Sequence, residues 1–122
     1  MNGPLNPSLL ASFVRAVAVL ALPADDQIAW LRALPVDVGE VADELALDFD
    51  DGYLLLPQFL ELRWLSAAVQ PAAGEVRRLL DEMSGPGSPW SFEDLRRDVR
   101  WSEVRAAAIE TLGNINRGTY IQ

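Results

Sequence analysis

Apolar residues return at steps of three and four along almost the whole chain, and prolines cut that pattern into helix-length pieces. The first piece opens with Asn6 before Pro7, an N-cap followed by proline at the first helical position. It carries Leu9, Leu10, Phe13, Val14, Val17 and Leu20 and ends at Pro23. Asp25 is placed to cap a second, short helix bearing Ile28, Trp30, Leu31 and Leu34, which stops before Pro35. A third is expected from Asp37 to about residue 55, with Val38, Ala42, Leu45, Phe49, Tyr53 and Leu56 as its apolar stripe. Pro57 disfavours helix at the residue before it, so a kink or break falls there, followed by a piece through Phe59, Leu60 and Trp64. A buried strand is the competing assignment for residues 53–56, but no second stretch of comparable patterning offers it a partner.

Residues 66–74 read as a loosely patterned connection. Val76, Leu79, Leu80 and Met83 then mark another amphipathic helix closed by Gly85, and SGPGSP is a loop. Ser91 with Asp94 three residues on is a helix-start signature, with Trp90 and Leu95 placed as a hydrophobic staple. Asp98 caps the last helix, which carries Trp101, Val104, Ala108, Ile109 and Leu112 and takes Gly113 as its stop. Residues 114–122 form a tail, either frayed or docked through Ile115, Tyr120 and Ile121. These spacings predict an all-α fold, a single-domain bundle of five to six helices covering residues 1–122. With half of its 122 residues apolar, the chain can bury a core of its own.

Charge is distributed unevenly over this pattern. Nine carboxylates and one base, Arg32, lie between residues 25 and 51; the rest of the chain is neutral, so this stretch holds the whole net charge of −8. On a helical wheel Asp37, Glu40, Glu44, Asp48 and Asp51 fall in one sector, opposite Val38, Leu45, Phe49 and Leu56. Like charges at this spacing repel by roughly 0.2–0.5 kcal/mol per i,i+4 pair. A solvated face is the bland explanation, but mixed signs would serve solubility at lower cost. An electropositive partner explains an unbroken ladder better. The expected contacts are Asp37, Glu40, Glu44, Asp48 and Asp51, with Asp43, Asp50 and Trp30 flanking. Asp50 points away from the ladder on a regular helix, and is expected to cap a turn at Gly52 or to pair internally with an arginine such as Arg63 or Arg105. Of the four tryptophans, Trp64, Trp90 and Trp101 read as core or staple residues, and Trp30 as an interface aromatic.

Composition narrows the chemistry. The chain has no cysteine, histidine or lysine, which removes disulfides, thiolate and Schiff-base catalysis, the commonest general base and the commonest metal ligand. Asp48, Asp50, Asp51 and Gly52 superficially suit a calcium loop, but a loop starting at Asp48 needs Gly and Glu where Tyr53 and Phe59 stand. No cofactor or metal is expected, and no enzymatic activity. A metal-dependent hydrolase is the most distant alternative. The acidic balance argues against nucleic acid. The longest apolar stretch, residues 9–22, is too short for a membrane span and is interrupted by Arg15. With nothing basic before Arg15 to start a secretory leader, a cytoplasmic protein is expected, as monomer or weak dimer.

The central run ADELALDFDDGYLLLPQFLELRWLS, taken with the later WSFEDLRRDVRWSEVRAAAIETL, resembles a group of small acidic immunity partners of bacterial polymorphic toxins. The likeness is carried by Leu45-Ala46-Leu47-Asp48-Phe49-Asp50-Asp51, by Leu65-Ser66, by Met83-Ser84-Gly85, and by Trp101, Val104, Arg105 and Ala108, in that order over about residues 42–112. None of these motifs is catalytic. The resemblance implies a cytoplasmic protein that binds and neutralises one cognate secreted toxin domain. An acidic helix face covering a basic active-site cleft is a physical means of doing so. The alternative is a small acidic regulatory or scaffold subunit that binds a basic region of a host protein.

Overall fold

The computed structural model describes residues 6–35, 37, 39 and 41–120, the last three of them by backbone alone. They form seven helices: α1 (Pro7–Leu20), α2 (Ala24–Arg32), α3 (Asp43–Tyr53), α4 (Leu56–Glu61), α5 (Val69–Glu82), α6 (Phe92–Arg97) and α7 (Val99–Tyr120). The fold is all-α, as expected; five of the helices have seven residues or more, and α4 and α6 are shorter pieces of six. Among the described residues no strand forms; an isolated antiparallel bridge joins Val41 to Ser91.

Local chemistry sets several of the helix ends. The Asn6 side chain accepts the Ser8 N–H at 2.8 Å, with Pro7 opening α1. Ser91 and Asp94 form a complete capping box at the start of α6. Asp98 accepts the Arg100 N–H at 2.9 Å and caps α7. Pro57 sits in the first turn of α4, where a missing N–H costs nothing, and so separates α4 from α3. At the far end of α4 the chain turns through Arg63 at φ 61°, while the Trp64 N–H reaches Phe59 O at 2.9 Å and the Arg63 N–H reaches Leu60 O at 3.1 Å. That is a Schellman stop built on arginine instead of glycine.

Other boundaries differ from the sequence expectation. Helix α2 starts at Ala24 after Pro23, so Asp25 lies in its first turn and is not its cap. Helix α5 begins at Val69 and takes in Pro71, tolerated in the first turn, and Gly74. Helix α7 runs through Gly113 to Tyr120 with Ile115 buried, so residues 114–120 are helical and not a loose tail, and residues 121–122 lie outside the described set. The largest change concerns α3, which starts at Asp43 and not at Asp37. Gly39 holds φ +67°, and the Ala42 N–H donates to Trp90 O at 2.7 Å beside the Val41–Ser91 bridge. The approach to α3 is therefore fastened to the start of α6.

The core is continuous through all seven helices. Helix α7 lies against α5 and α1, α1 packs on α3, and α2 packs on α6. Phe13 is at the centre, with ring centroids 5.8 Å from Phe49 and 6.1 Å from Phe59; Val17, Leu20, Val69, Val76, Leu95, Trp101 and Val104 are buried around it. Each such large side chain contributes roughly 1.5–3 kcal/mol by leaving water. Gln27 is fully buried and donates to Val19 O (3.1 Å) and Leu20 O (3.0 Å) at the end of α1, satisfying carbonyls the helix leaves open. Its Oε1 accepts from Arg105, which also donates to Leu95 O, tying α1, α2, α6 and α7 at one point. Arg105 thus partners Gln27 and not Asp50.

Candidate functional site

Helix α3 is positioned by one close approach. A Cβ on Gly52 would lie 2.5–2.9 Å from the Phe13 side chain, so α1 and α3 meet there closer than any other residue permits. Leu45, Phe49 and Gly52 are buried against the core, and the carboxylates follow from that phase. Asp43, Asp48 and Asp51 are exposed, and Glu44 is half-buried. Of the five expected ladder residues, the structure keeps Glu44, Asp48 and Asp51 together on one helix. Asp37 lies before the helix, where its Oδ1 accepts the Gly39 N–H at 2.9 Å in a tight turn. Glu40 lies outside the described residues. The ladder is therefore shorter than the wheel drawn from Asp37 implies.

Asp50 turns toward α5. Its Oδ1 is 3.6 Å from an Arg77 guanidinium nitrogen, and that guanidinium also bonds Asp81 and stands 5.4 Å over the Tyr53 ring. Of the two expectations for Asp50, a cap at Gly52 or an internal arginine, the structure has the second, with Arg77 in place of Arg63 or Arg105. Oδ1 is buried without a hydrogen bond, and burial raises the Asp50 pKa above the usual carboxylate value, with Arg77 opposing.

The three clustered carboxylates have no such partner. Neither Glu44, Asp48 nor Asp51 forms an ion pair among the described residues. Asp48 and Asp51 also sit in the C-terminal half of α3, where the helix dipole disfavours negative charge. Burial raises the Asp48 pKa; the field of Arg15 on α1 opposes this and that of Asp51 reinforces it.

Beside this acidic edge runs a groove of about 260 Å³ between α1 and α3. Helix α1 supplies Leu9, Ser12, Ala16 and Val19, with Arg15 at the rim. Leu45 and Leu55 form the opposite wall, Asp48 and Asp51 line it as well, and half-buried Trp30 of α2 completes it. Thus Trp30 lines the groove together with Asp48 and Asp51. The α1 residues were not foreseen, because Arg15 reads in the sequence as an interruption of an apolar run. The signal was present: Leu9, Ser12, Ala16 and Val19 share one sector of α1, and the two small residues leave a trough.

Exposed apolar residues extend the surface outward. Leu47 and Leu54, on the solvent side of α3 beside Asp51, are 52 % and 71 % exposed, and Leu9 at the groove is 40 % exposed. Among the described residues, no three His, Cys, Asp or Glu side chains group to hold a metal ion, and no helix is long and apolar enough to cross a membrane. Compared with known proteins, the chain matches no family model, no curated protein and no solved structure.

Proposed function

We propose that this chain is a cytoplasmic immunity protein, acting by binding and not by catalysis, and that α3 and its surroundings cover a basic cleft of a cognate secreted bacterial toxin domain. The observation that carries the reading is the set Glu44, Asp48 and Asp51, unpaired among the described residues on a helix where Asp50 does have an arginine. Asp48 and Asp51, in the half of α3 where the dipole disfavours them, are accounted for by a cation that arrives from outside. Exposed Leu47 and Leu54 among the acids give such an interface an apolar component as well. The resemblance of residues 42–112 to immunity partners favours a toxin domain over a host regulatory target.

The test is charge reversal with the toxin domain encoded directly upstream of this gene. Glu44→Arg plus Asp51→Arg places one arginine at the unfavourable end of the α3 dipole and one at the favourable end, so the two effects of about 0.3–1 kcal/mol offset. The double variant is expected to melt like wild type and to lose protection of cells expressing the toxin domain. Association with the purified domain is expected to slow about tenfold or more as salt rises, because the attraction is screened. A double variant that protects as well as wild type, or the absence of any toxin gene upstream, overturns the reading.

A further inference from the structure

We propose that the groove between α1 and α3 receives a helical segment of a protein partner, which seats one large apolar side chain against Leu9, Ala16 and Val19 and pairs an arginine or lysine with Asp51. This rests on the reading of the chain as a binder of a basic partner, and adds which part of the partner is held and how.

Size, shape and charge each point to this occupant. A volume of about 260 Å³ holds one or two large side chains and falls below the roughly 300–1,000 Å³ of small-molecule sites. The walls are mostly apolar, with the Trp30 ring among them, which is the setting in which a single anchoring side chain contributes most to binding. Among the described residues there is no strand edge for an extended peptide to join, whereas a trough between two helices suits the apolar face of a third. Charge then selects the segment. Arg15 already bears on Asp48, leaving Asp51 as the rim carboxylate without a cation among the described residues, one helical turn along α3. Residues three or four apart share a helix face, so a partner helix with its anchor in the groove brings a basic residue one turn away over Asp51. The shift of Asp48 toward the protonated form has burial as its first cause, in keeping with a rim already partly withdrawn from water.

The experiment is selection of a displayed library of randomised helical peptides on the full chain, followed by calorimetry of the selected peptides. Binding is compared for wild type, Ser12→Phe, which fills the groove from exposed Ser12, Asp51→Asn, and Ile109→Ser on α7 as an exposed control outside the groove and the acidic edge, each first checked for an unchanged melt. The expected peptides carry a large apolar residue with arginine or lysine three or four positions away. Their affinity is expected to fall about tenfold or more in Ser12→Phe, to fall about threefold or more in Asp51→Asn, and to hold in Ile109→Ser. A library that yields no binder, or binders without basic residues, overturns the proposal. Binders that lose affinity in Asp51→Asn but not in Ser12→Phe overturn the groove and leave the acidic edge standing. Should the groove behave as expected while Glu44→Arg plus Asp51→Arg still protects cells, the immunity reading fails and not the groove.

Discussion

Helices α3 and α5 each bury one apolar stripe and show carboxylates to solvent, yet they treat those carboxylates in opposite ways. On α5 the acids are interleaved with arginine: Glu75 bonds Arg78 at 2.7 Å, Arg78 also reaches Glu82, and Asp81 lies 3.3 Å from Arg77. The pattern continues along the chain, with Glu93 on Arg97 and Asp98 on Arg100. On α3, Asp50 borrows Arg77 from α5, and Glu44, Asp48 and Asp51 form no ion pair among the described residues. One surface is paired within the fold, and the other is not. Exposed ion pairs are worth little individually, so α5 gains solubility and mixed charge more than stability. What α3 loses by the same measure is also small, roughly 0.3–1 kcal/mol for each carboxylate near its C-terminus, and its burial against α1 bears that loss.

The comparison predicts that the same substitution has opposite signs on the two helices. Gly52→Ala drives a Cβ into Phe13 at the α1–α3 contact. Overpacking costs roughly 1–3 kcal/mol, more than alanine returns as a better helix former. Gly74→Ala on α5 meets only Tyr53 Oη at 3.7 Å, an ordinary contact, and is expected to stabilise by about 0.5–1 kcal/mol. Urea denaturation of the two variants checks this, and shifts of the same sign would show that α3 is not held by that close approach.

Charge substitutions sharpen the same contrast at smaller magnitude. Asp51→Arg is expected to stabilise by about 0.3–1 kcal/mol at low ionic strength, since it relieves Asp48 and suits the helix end. Glu75→Arg is expected to lower the melting temperature, since it leaves Arg78 without its two-bond partner and puts a like charge beside it. Added salt should shrink both shifts. If Asp51→Arg destabilises, the acids of α3 have a role inside the fold, and the case for an outside partner weakens.

What the sequence could reveal followed the range of the forces involved. The ends at Asn6–Pro7, Ser91–Asp94 and Asp98 were legible because each is fixed by a side chain within three residues of the backbone it satisfies. The start of α3 was not, because the decision is made by Trp90 and Ser91, far along the chain, which hold residues 41 and 42. Gly113 failed as a stop for a related reason. A mid-helix glycine costs about 1 kcal/mol, and burying Ile115 beyond it repays more. Pro71 and Gly74 disguised the start of α5, although Val69, Ala73 and Val76 already had the right spacing for the buried face. Of the site, the charge and Trp30 could be read from the pattern. Of the groove the pattern held only the α1 side, Leu9, Ser12, Ala16 and Val19; that α3 supplies the opposite wall depends on how the two helices pack.

The smallest expected effect is the response to acid, and here the two surfaces should move in opposite directions. Burial raises the pKa of Asp48 and of Asp50, so the folded chain takes up protons on these groups more readily than the unfolded chain does. Their contribution to stability therefore grows as pH falls from neutrality through their raised values, and levels off near the ordinary 3.8. On the paired surface the sign is reversed. The hydrogen bond from Arg78 lowers Glu75, and hydrogen bonds from Arg100 hold Asp98 at about 2. Stability from these two is present above the usual carboxylate range and is lost as pH falls below it toward about 2. Urea midpoints taken across this range should pass through a shallow maximum in mild acid. In Asp48→Asn the rise on the neutral side should shrink and the fall at low pH should remain; in Asp98→Asn the fall should soften and the rise should remain. A wild-type curve that only declines from neutrality, unchanged in Asp48→Asn, would mean that the α3 carboxylates carry no strain in the free protein. The partner would then gain nothing from relieving it, and the attraction would be a matter of long-range charge alone.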